Sequence, residues 1–389
     1  MRRAKPALVL SGIVGLLPWG AQASEVSLYG QVHAGLNTFS YDDSKRVTEI
    51  TDQGRTRVGF SGSTPLENGW DAIGTFEWNT FPHLGESGFK RRASYVGVAT
   101  PYGEAVIGSV AAAYKMGGGV GWDPLVTTEL QQRRSGGMSG GAFGHNSFVD
   151  RAIQYTTPEL NGFKLQLQLG TEENNDSRTV ADPSEGDADA ELQQGDALAS
   201  VRYTGIPDWE LIAAAVRLDE PYTEVDGVDD GDTSWKLGAR WAPEGYSLAY
   251  QYESVEIIRG PGGAGRIDNL VGDPDNRVDG EDNDKFRDGR FTDAVDHHAL
   301  IGTYEQGRNT WVLGLSHADA DAREEDVSAV TAALVHQPAP SFRLYAGVQH
   351  QAFGDRIGRA ENENGEILAS DDSLTTYAVG ARYDFGASF

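Results

Sequence analysis

Three short patterns in the chain have residue types that could do chemistry. Residues 137–141 read Gly-Met-Ser-Gly-Gly, the G-x-S-x-G spacing of a hydrolase nucleophile elbow, but that motif needs a strand–turn–helix context. The Gly-rich run 117–121 could cradle a phosphate, yet neither a Lys-Ser/Thr pair nor a predicted helix follows it. His297 and His298 are adjacent, so on a strand they face opposite sides and cannot share a metal. None of the three patterns predicts an enzyme.

Acidic side chains form the largest remaining group that could bind something. Six of them lie between residues 273 and 284 and could offer oxygen ligands to calcium, although they lack the register of an EF-hand. A solvated loop explains them better, so we predict no resident cofactor and keep divalent cations at the acidic loops as an alternative. The six are Asp273, Asp275, Asp279, Glu281, Asp282 and Asp284.

Charge and composition exclude several classes of protein. Among 389 residues, 58 acidic side chains outnumber 32 lysines and arginines, giving a net charge of −26. Nucleic-acid binding is therefore not expected, because phosphate backbones require clustered cations. There is no cysteine, which excludes a disulfide framework, a thiolate metal site and a cysteine nucleophile.

The first 23 residues have the composition of a secretory signal peptide. Arg2, Arg3 and Lys5 precede the short apolar stretch 7–17, and residues 21–23 (Ala-Gln-Ala) form a cleavage site. We expect export and a mature chain of residues 24–389 forming a single domain. No later apolar run approaches the roughly 20 residues that a membrane helix needs, but a closed β-barrel crosses with strands of about 10 residues.

The mature sequence alternates polar and apolar residues with period two, which indicates strands. Tight turns containing Gly, Asn or Pro alternate with long polar connections, as in an all-β, antiparallel up-and-down barrel with all its turns on one rim. We predict sixteen strands: 26–39, 55–66, 70–80, 91–102, 104–115, 150–160, 162–170, 197–205, 208–218, 234–243, 245–256, 294–306, 309–319, 326–337, 341–353 and 374–389.

The polar faces of these strands predict which side of the barrel is wet. They carry too many cations to pack into a dry core, and sixteen strands enclose a lumen too wide for side chains to fill. Aromatic residues cluster near the strand ends, as membrane interfaces require. We therefore expect a polar lumen and a lipid-facing apolar surface. The cations are Arg57, Arg92, Arg202, Arg240, Arg343 and Arg382.

Four segments make residues 24–389 resemble the general (trimeric) porins of Gram-negative outer membranes. They are 26–30 (VSLYG), 56–62 (TRVGFSG), 91–98 (RRASYVGV) and the terminal aromatic strand ending in Phe389. The resemblance implies a homotrimeric transmembrane barrel in the outer membrane, in contact with its lipids and lipopolysaccharide. It also implies passive diffusion of ions and small hydrophilic solutes.

The same resemblance implies a site. The third loop of such porins folds into the lumen, where its acids face arginines on the wall. Here that loop would be residues 116–149, with Asp123 and Glu129 as its acids. The wall arginines would be Arg57, Arg92 and Arg151, with Arg55 and Arg91 as extra cations nearby.

Two other functions stay open from the sequence. A substrate-specific channel for sugars or acidic metabolites would need a saturable site, such as a row of aromatic side chains along the lumen. The alternation places most aromatics on the lipid-facing side instead. A secreted all-β adhesin or hydrolase would be soluble without detergent.

Overall fold

The computed structural model describes thirteen stretches of the chain. These are residues 25–41, 46–51, 56–80, 88–132, 148–171, 190–191, 195–218, 233–256, 294–320, 326–354, 359–361, 367–370 and 373–388. The proposed signal peptide, the G-x-S-x-G motif and the acidic run 273–284 lie outside these described residues.

About 75% of the described backbone is strand. The strands are β1 Glu25–Tyr41, β2 Arg46–Thr51, β3 Arg57–Pro65, β4 Asp71–Asn79, β5 Lys90–Thr100, β6 Gly103–Ala111, β7 Phe148–Thr156, β8 Phe163–Gly170, β9 Ala190–Glu191, β10 Ala197–Tyr203, β11 Trp209–Arg217, β12 Thr233–Trp241, β13 Tyr246–Val255, β14 Val295–Gln306, β15 Asn309–Ala320, β16 Val327–Ala339, β17 Phe342–Phe353, β18 Arg359–Glu361, β19 Ile367–Ser370 and β20 Ser373–Ser388. Helix α1 spans Ala113–Met116, and a 3₁₀ turn spans Gly119–Trp122.

The strands form one closed, antiparallel barrel. Neighbours along the chain pair with each other, and β1 closes the ring by pairing with β20 from Ser27↔Ser388 to Tyr41↔Leu374. Strand β2 pairs with the C-terminal half of β1, and the short β9 pairs with β7. Within the described residues, β18 pairs only with β19. The remaining strands make a wall of sixteen, which confirms the predicted fold class and strand number.

Short turns occupy one rim of the barrel, as the turn residues predicted. Gly69, Gly245 and Gly307 adopt φ values of 77°, 81° and 64° in three of these turns. Residues with side chains rarely adopt this left-handed conformation, which glycine adopts without steric cost. The long connections leave from the opposite rim, called here the long-loop rim.

Apolar side chains cover the outside of the wall and polar ones line its inside. Leu167 and Leu169 are exposed on the outer face of β8, whereas the intervening Gln168 is fully buried inside. The same alternation places Leu313 and Leu315 outside on β15. An apolar exterior around a polar interior is typical of barrels that sit in a lipid bilayer. Within the described residues, no helix has the length and apolar character needed to cross a membrane.

The outer belt gives a testable consequence on β8. We expect Leu167→Arg to lower the free energy of unfolding in lipid vesicles by about 2–4 kcal/mol, because it exposes a charge to hydrocarbon. Gln166→Arg, on the adjacent inward position, is the matched control and should change it far less. Urea unfolding in vesicles measures both. Equal losses for the two variants would contradict the assignment of the faces.

One predicted strand was too long. The strand expected over 104–115 ends at Ala111, and α1 follows it where no helix was predicted. The backbone leaves the wall there because Ala112, Ala113 and Tyr114 turn into the barrel, where each is fully buried. The inward segment therefore begins before residue 116, the start that the sequence predicted for it.

Candidate functional site

Among the described residues, one loop, residues 112–132, lies inside the barrel and packs against its wall. The N–H of Ala113 donates to Oε1 of Gln168 on β8, at 2.9 Å. The N–H of Gly119 donates to Oε1 of Gln251 on β13, at 2.6 Å. Further along the loop, Gln132 donates to Thr331 on β16. The loop thus follows the wall from β8 to β17, where Gln349 donates to the carbonyl oxygen of Leu130, and it narrows the lumen along this arc.

Tyr114 is the most deeply anchored side chain of the loop. Its hydroxyl donates to Oε1 of Glu253 at 2.7 Å, and Nζ of Lys236 lies 3.9 Å from the centre of its ring. Lys236 and Glu253 are cross-strand partners on β12 and β13, and both are buried. Burial, followed by the charge of Glu253 and its hydrogen bond, raises the pKa of the Tyr114 hydroxyl well above its usual value. The hydroxyl therefore remains a donor at neutral pH.

The middle of the loop fits the wall through small residues. Trp122 packs with Ile212 and Ala249, and its ring lies over Gly238, where a Cβ atom would meet it at 2.8 Å. Gly117 approaches the wall equally closely, since a Cβ there would lie 2.1 Å from Cβ of Ser200. Glycine is required at both contacts because any larger side chain would separate the loop from the wall.

The two acids predicted for this loop are both buried. Asp123 is 5% exposed, and its carboxylate accepts hydrogen bonds from the N–H groups of Leu125 and Gln132. Glu129 is 3% exposed and accepts a hydrogen bond of 2.7 Å from the hydroxyl of Thr51 on β2. Asp123 thus shapes the loop, and Glu129 links it to β2. Their part in solute passage stays a prediction.

Two of the predicted arginines come together on the wall. Arg57 on β3 and Arg92 on β5 both contact the carboxylate of Glu77 on β4, at 3.4 Å and 2.5 Å. Arg92 also donates to Asn79 and lies over the ring of Phe148. The side chain of Arg57 is 28% exposed. This group of two cations and one carboxylate therefore presents a net positive surface to water.

A β-bulge decides which of two adjacent arginines reaches Glu77. The pairing of β4 with β5 shifts by one residue between Phe76 and Trp78. Without the bulge, Arg92 would oppose Trp78 in the outward set; with it, Arg92 turns inward and Arg91 takes the place opposite Trp78. Arg91 instead forms an ion pair with Asp150 at the start of β7.

Of the remaining predicted cations, the structure describes Arg151 but not Arg55. Arg151 is exposed on β7 and has a positive φ of 52°. Arg55 lies outside the described residues. The sequence analysis missed Glu77, although the alternation on β4 gives the signal: Thr75 and Glu77 are buried inside, whereas Phe76 between them is exposed outside.

A second basic group on the wall includes two arginines that the sequence had placed on the polar face. On β20, Arg382 forms an ion pair of 2.7 Å with Asp384. Arg343 on β17 is the cross-strand partner of Arg382. The lumen wall therefore carries guanidinium–carboxylate groups on both sides of β1.

The close fit at Gly117 predicts how the loop responds to an added side chain. We expect Gly117→Val to push the loop away from Ser200 and Ala214, to cost about 1–3 kcal/mol in overpacking and to widen the lumen. Gly121→Val is the matched control, since Gly121 is exposed and a Cβ there meets nothing within 4 Å. Conductance across a planar bilayer would test this, and equal conductance for the two variants would contradict the packing.

Comparison with known families matches most of the chain. Residues 13–356 fit the family model described as Gram-negative porin. The major outer membrane protein P.IB of Neisseria sicca is 29% identical over 185 residues, which cover 45% of this chain. The chain spans about half the length of the Neisseria relatives that it matches, 48% in this case.

Solved structures share the fold at low sequence identity. The anion-selective porin from Comamonas acidovorans aligns over 93% of this chain and 100% of its own, with 18% identity and a TM-score of 0.67. The trimer form of OmpT from Vibrio cholerae aligns over 94% and 100% with 15% identity and a TM-score of 0.55. At these identities the likeness concerns the fold alone.

Proposed function

The chain belongs to the Gram-negative porins, an outer-membrane family, and we propose that it forms a general diffusion channel. Ions and small hydrophilic solutes would pass down their gradients through a water-filled lumen. This family and fold belong to channels rather than enzymes, and the mechanism needs no covalent step. The alternative of a soluble adhesin or hydrolase does not fit an outer-membrane family.

The observation that carries the proposal is the inward loop facing a charged wall. The loop is attached to the wall from β8 to β17 and to β2, whereas Arg57 and Arg92 lie on β3 and β5, outside that arc. Solutes would pass between the two. Fixed guanidiniums on one side produce a transverse field, which orients dipolar solutes and disfavours apolar ones, since these must displace ordered water.

Ion selectivity should be modest under this mechanism. Salt screens exposed charges within about 8 Å at physiological ionic strength. The exposed part of Arg57 is within reach of mobile ions, but each cation of its group shares the carboxylate of Glu77. The wall should therefore favour anions only weakly. The acidic side chains that the sequence places in the long connections should oppose this preference for anions.

A substrate-specific channel is less well supported. It would need exposed aromatic side chains along the lumen. Among the described residues, Tyr114, Trp122 and Tyr345 inside the barrel are each no more than 5% exposed because they are buried in loop–wall or wall contacts, and the half-buried rings of Tyr29 and Phe148 lie against other wall residues. They leave little ring surface for a sugar to stack on.

We also propose a homotrimer in contact with outer-membrane lipid and lipopolysaccharide. The trimer form of the Vibrio cholerae protein supports this assembly, as does the apolar outer surface of the barrel. Cross-linking in native outer membranes would test the oligomer. Detection of monomers alone would contradict the proposed trimer.

Single-channel recording in a planar bilayer tests the diffusion channel directly. We expect stepwise openings whose conductance rises linearly with salt concentration, grouped in threes if the trimer is correct. The sign of the reversal potential in a salt gradient gives the selectivity. Silent bilayers would contradict the proposal, and small currents blocked by one solute at low concentration would favour the substrate-specific channel.

A further inference from the structure

A third charged group lies on the wall, away from the two already described. Glu210 on β11 bridges two arginines: Nε of Arg202 on β10 lies 3.0 Å from one carboxylate oxygen, and Nη2 of Arg240 on β12 lies 3.1 Å from the other. Glu210 keeps only 11% of its side chain exposed, whereas Arg202 and Arg240 keep 44% and 34%. The carboxylate is thus covered, and the guanidiniums face water.

A third cation stands beside this bridge. Lys164 on β8 is the cross-strand partner of Arg202 and is exposed. It lies on the same face of β8 as Gln168, which binds the inward loop, so it belongs to the lumen-facing set. Three cations and one carboxylate on four consecutive wall strands leave an excess of two positive charges. We call these four residues the exit cluster.

The exit cluster lies next to the inward loop, on the side of the short turns. Gly117 of the loop contacts Ser200 and Ala214, and Trp122 contacts Gly238 and Ile212. One step further along the inward faces of the same strands come Arg202, Arg240 and Glu210. Each of them is the second residue from the end of its strand at the short-turn rim. A solute that has passed the loop meets this cluster next.

The arrangement suits an oxyanion better than a single halide. A guanidinium has five N–H donors in a rigid plane, so each arginine keeps donors free after contacting Glu210. Because one carboxylate holds both arginines, their donors are fixed in position before an anion arrives. Two guanidiniums and an ammonium can then share the oxygens of one phosphate or of paired carboxylates.

We propose that the exit cluster is a second anion-binding station, selective for small divalent oxyanions leaving the lumen at the short-turn rim. The proposal rests on the diffusion channel proposed above. The station is separate from Arg57, Arg92 and Glu77, since the wall strands β6 and β7 lie between Arg92 on β5 and Lys164 on β8. It would lower the barrier for doubly charged solutes after the loop and bind them saturably.

Inorganic phosphate is the probe for this station. Its block of the chloride current through the wild-type channel should saturate. The triple variant Arg202→Gln/Glu210→Gln/Arg240→Gln removes the bridge without leaving a buried charge unpaired. We expect it to conduct in KCl and to require at least about threefold more phosphate for half-block. An unchanged half-blocking concentration would overturn the proposal.

A matched pair of single variants keeps the test independent of folding. Lys164→Gln and Arg308→Gln each remove one exposed cation near the short-turn rim, but Arg308 lies in the turn between β14 and β15. Only Lys164→Gln should weaken the phosphate block. Equal effects of the two variants on the phosphate block would overturn the proposed anion-binding station but not the proposed diffusion channel. A wild-type protein that never conducts would instead refute the proposed function.

Discussion

Replacing Glu253 by Gln is expected to release the inward loop from the wall. Lys236, only 1% exposed, would then lie buried opposite a neutral amide beneath Tyr114. Removing one member of a buried charged pair costs about 3–5 kcal/mol, because the other charge stays desolvated. Undocking of the loop lets water reach Lys236 and relieves this cost. We therefore expect a larger and noisier single-channel conductance and a lower urea midpoint.

The double variant Lys236→Met/Glu253→Gln is the control for that result. It removes both charges and keeps an unbranched side chain beneath the ring of Tyr114, so most of the loop anchoring should return. The comparison separates a buried-charge effect from a general loss of packing. Wild-type conductance and stability in Glu253→Gln would show that these residues do not hold the loop.

The second large effect is expected at Glu77, where substitutions of opposite charge should act in opposite directions. Arg57→Gln removes one cation from the Arg57–Glu77–Arg92 group and should shift the reversal potential towards cation preference. Glu77→Gln leaves two guanidiniums without their shared carboxylate and should shift it towards anions. The lumen field acts directly on permeating ions, so both shifts should shrink as salt rises.

Reversal potentials at low and high KCl, with the same concentration gradient, measure these shifts. Arg308→Gln serves as the control, since it changes the total charge by the same amount as Arg57→Gln but lies in an exposed turn. Shifts of the same sign for Arg57→Gln and Glu77→Gln would show that this group does not govern the selectivity.

The wall of this barrel was predictable because its signals are local. Strand β12, expected over 234–243, runs from Thr233 to Trp241, and the glycines of the short turns marked the rim. Period-two alternation assigned Arg202, Arg240, Arg343 and Arg382 to the polar face without any knowledge of their neighbours. Such patterns depend on adjacent residues alone, so they can be seen in one sequence.

The site was less predictable because its contacts join distant parts of the chain. Glu77 meets Arg92 through a one-residue bulge that no turn or alternation signal announces. Without knowledge of this bulge, Arg91 and Arg92 cannot be assigned to the correct faces of the strand. The chain leaves the wall at Ala112 for a similar reason. In the sequence, the small residues 112–113 fit the pattern of the preceding strand, but in the structure the N–H of Ala113 donates to Gln168 on another strand. Sequence periodicity contains no information about such pairing.

The pairing of β1 with β20 has a consequence for how the barrel is assembled. The hydroxyls of Ser27 and Ser388 lie 2.9 Å apart across this seam, although 361 positions separate them in the chain. Contacts of such separation form late and slowly, because the entropy of closing the loop must be overcome first. Until then, the sheet has two unpaired edges, each able to capture a strand from another chain. We therefore expect the pairing of β1 with β20 to be the last step of folding, and a chaperone that shields these two edges to protect the earlier stages.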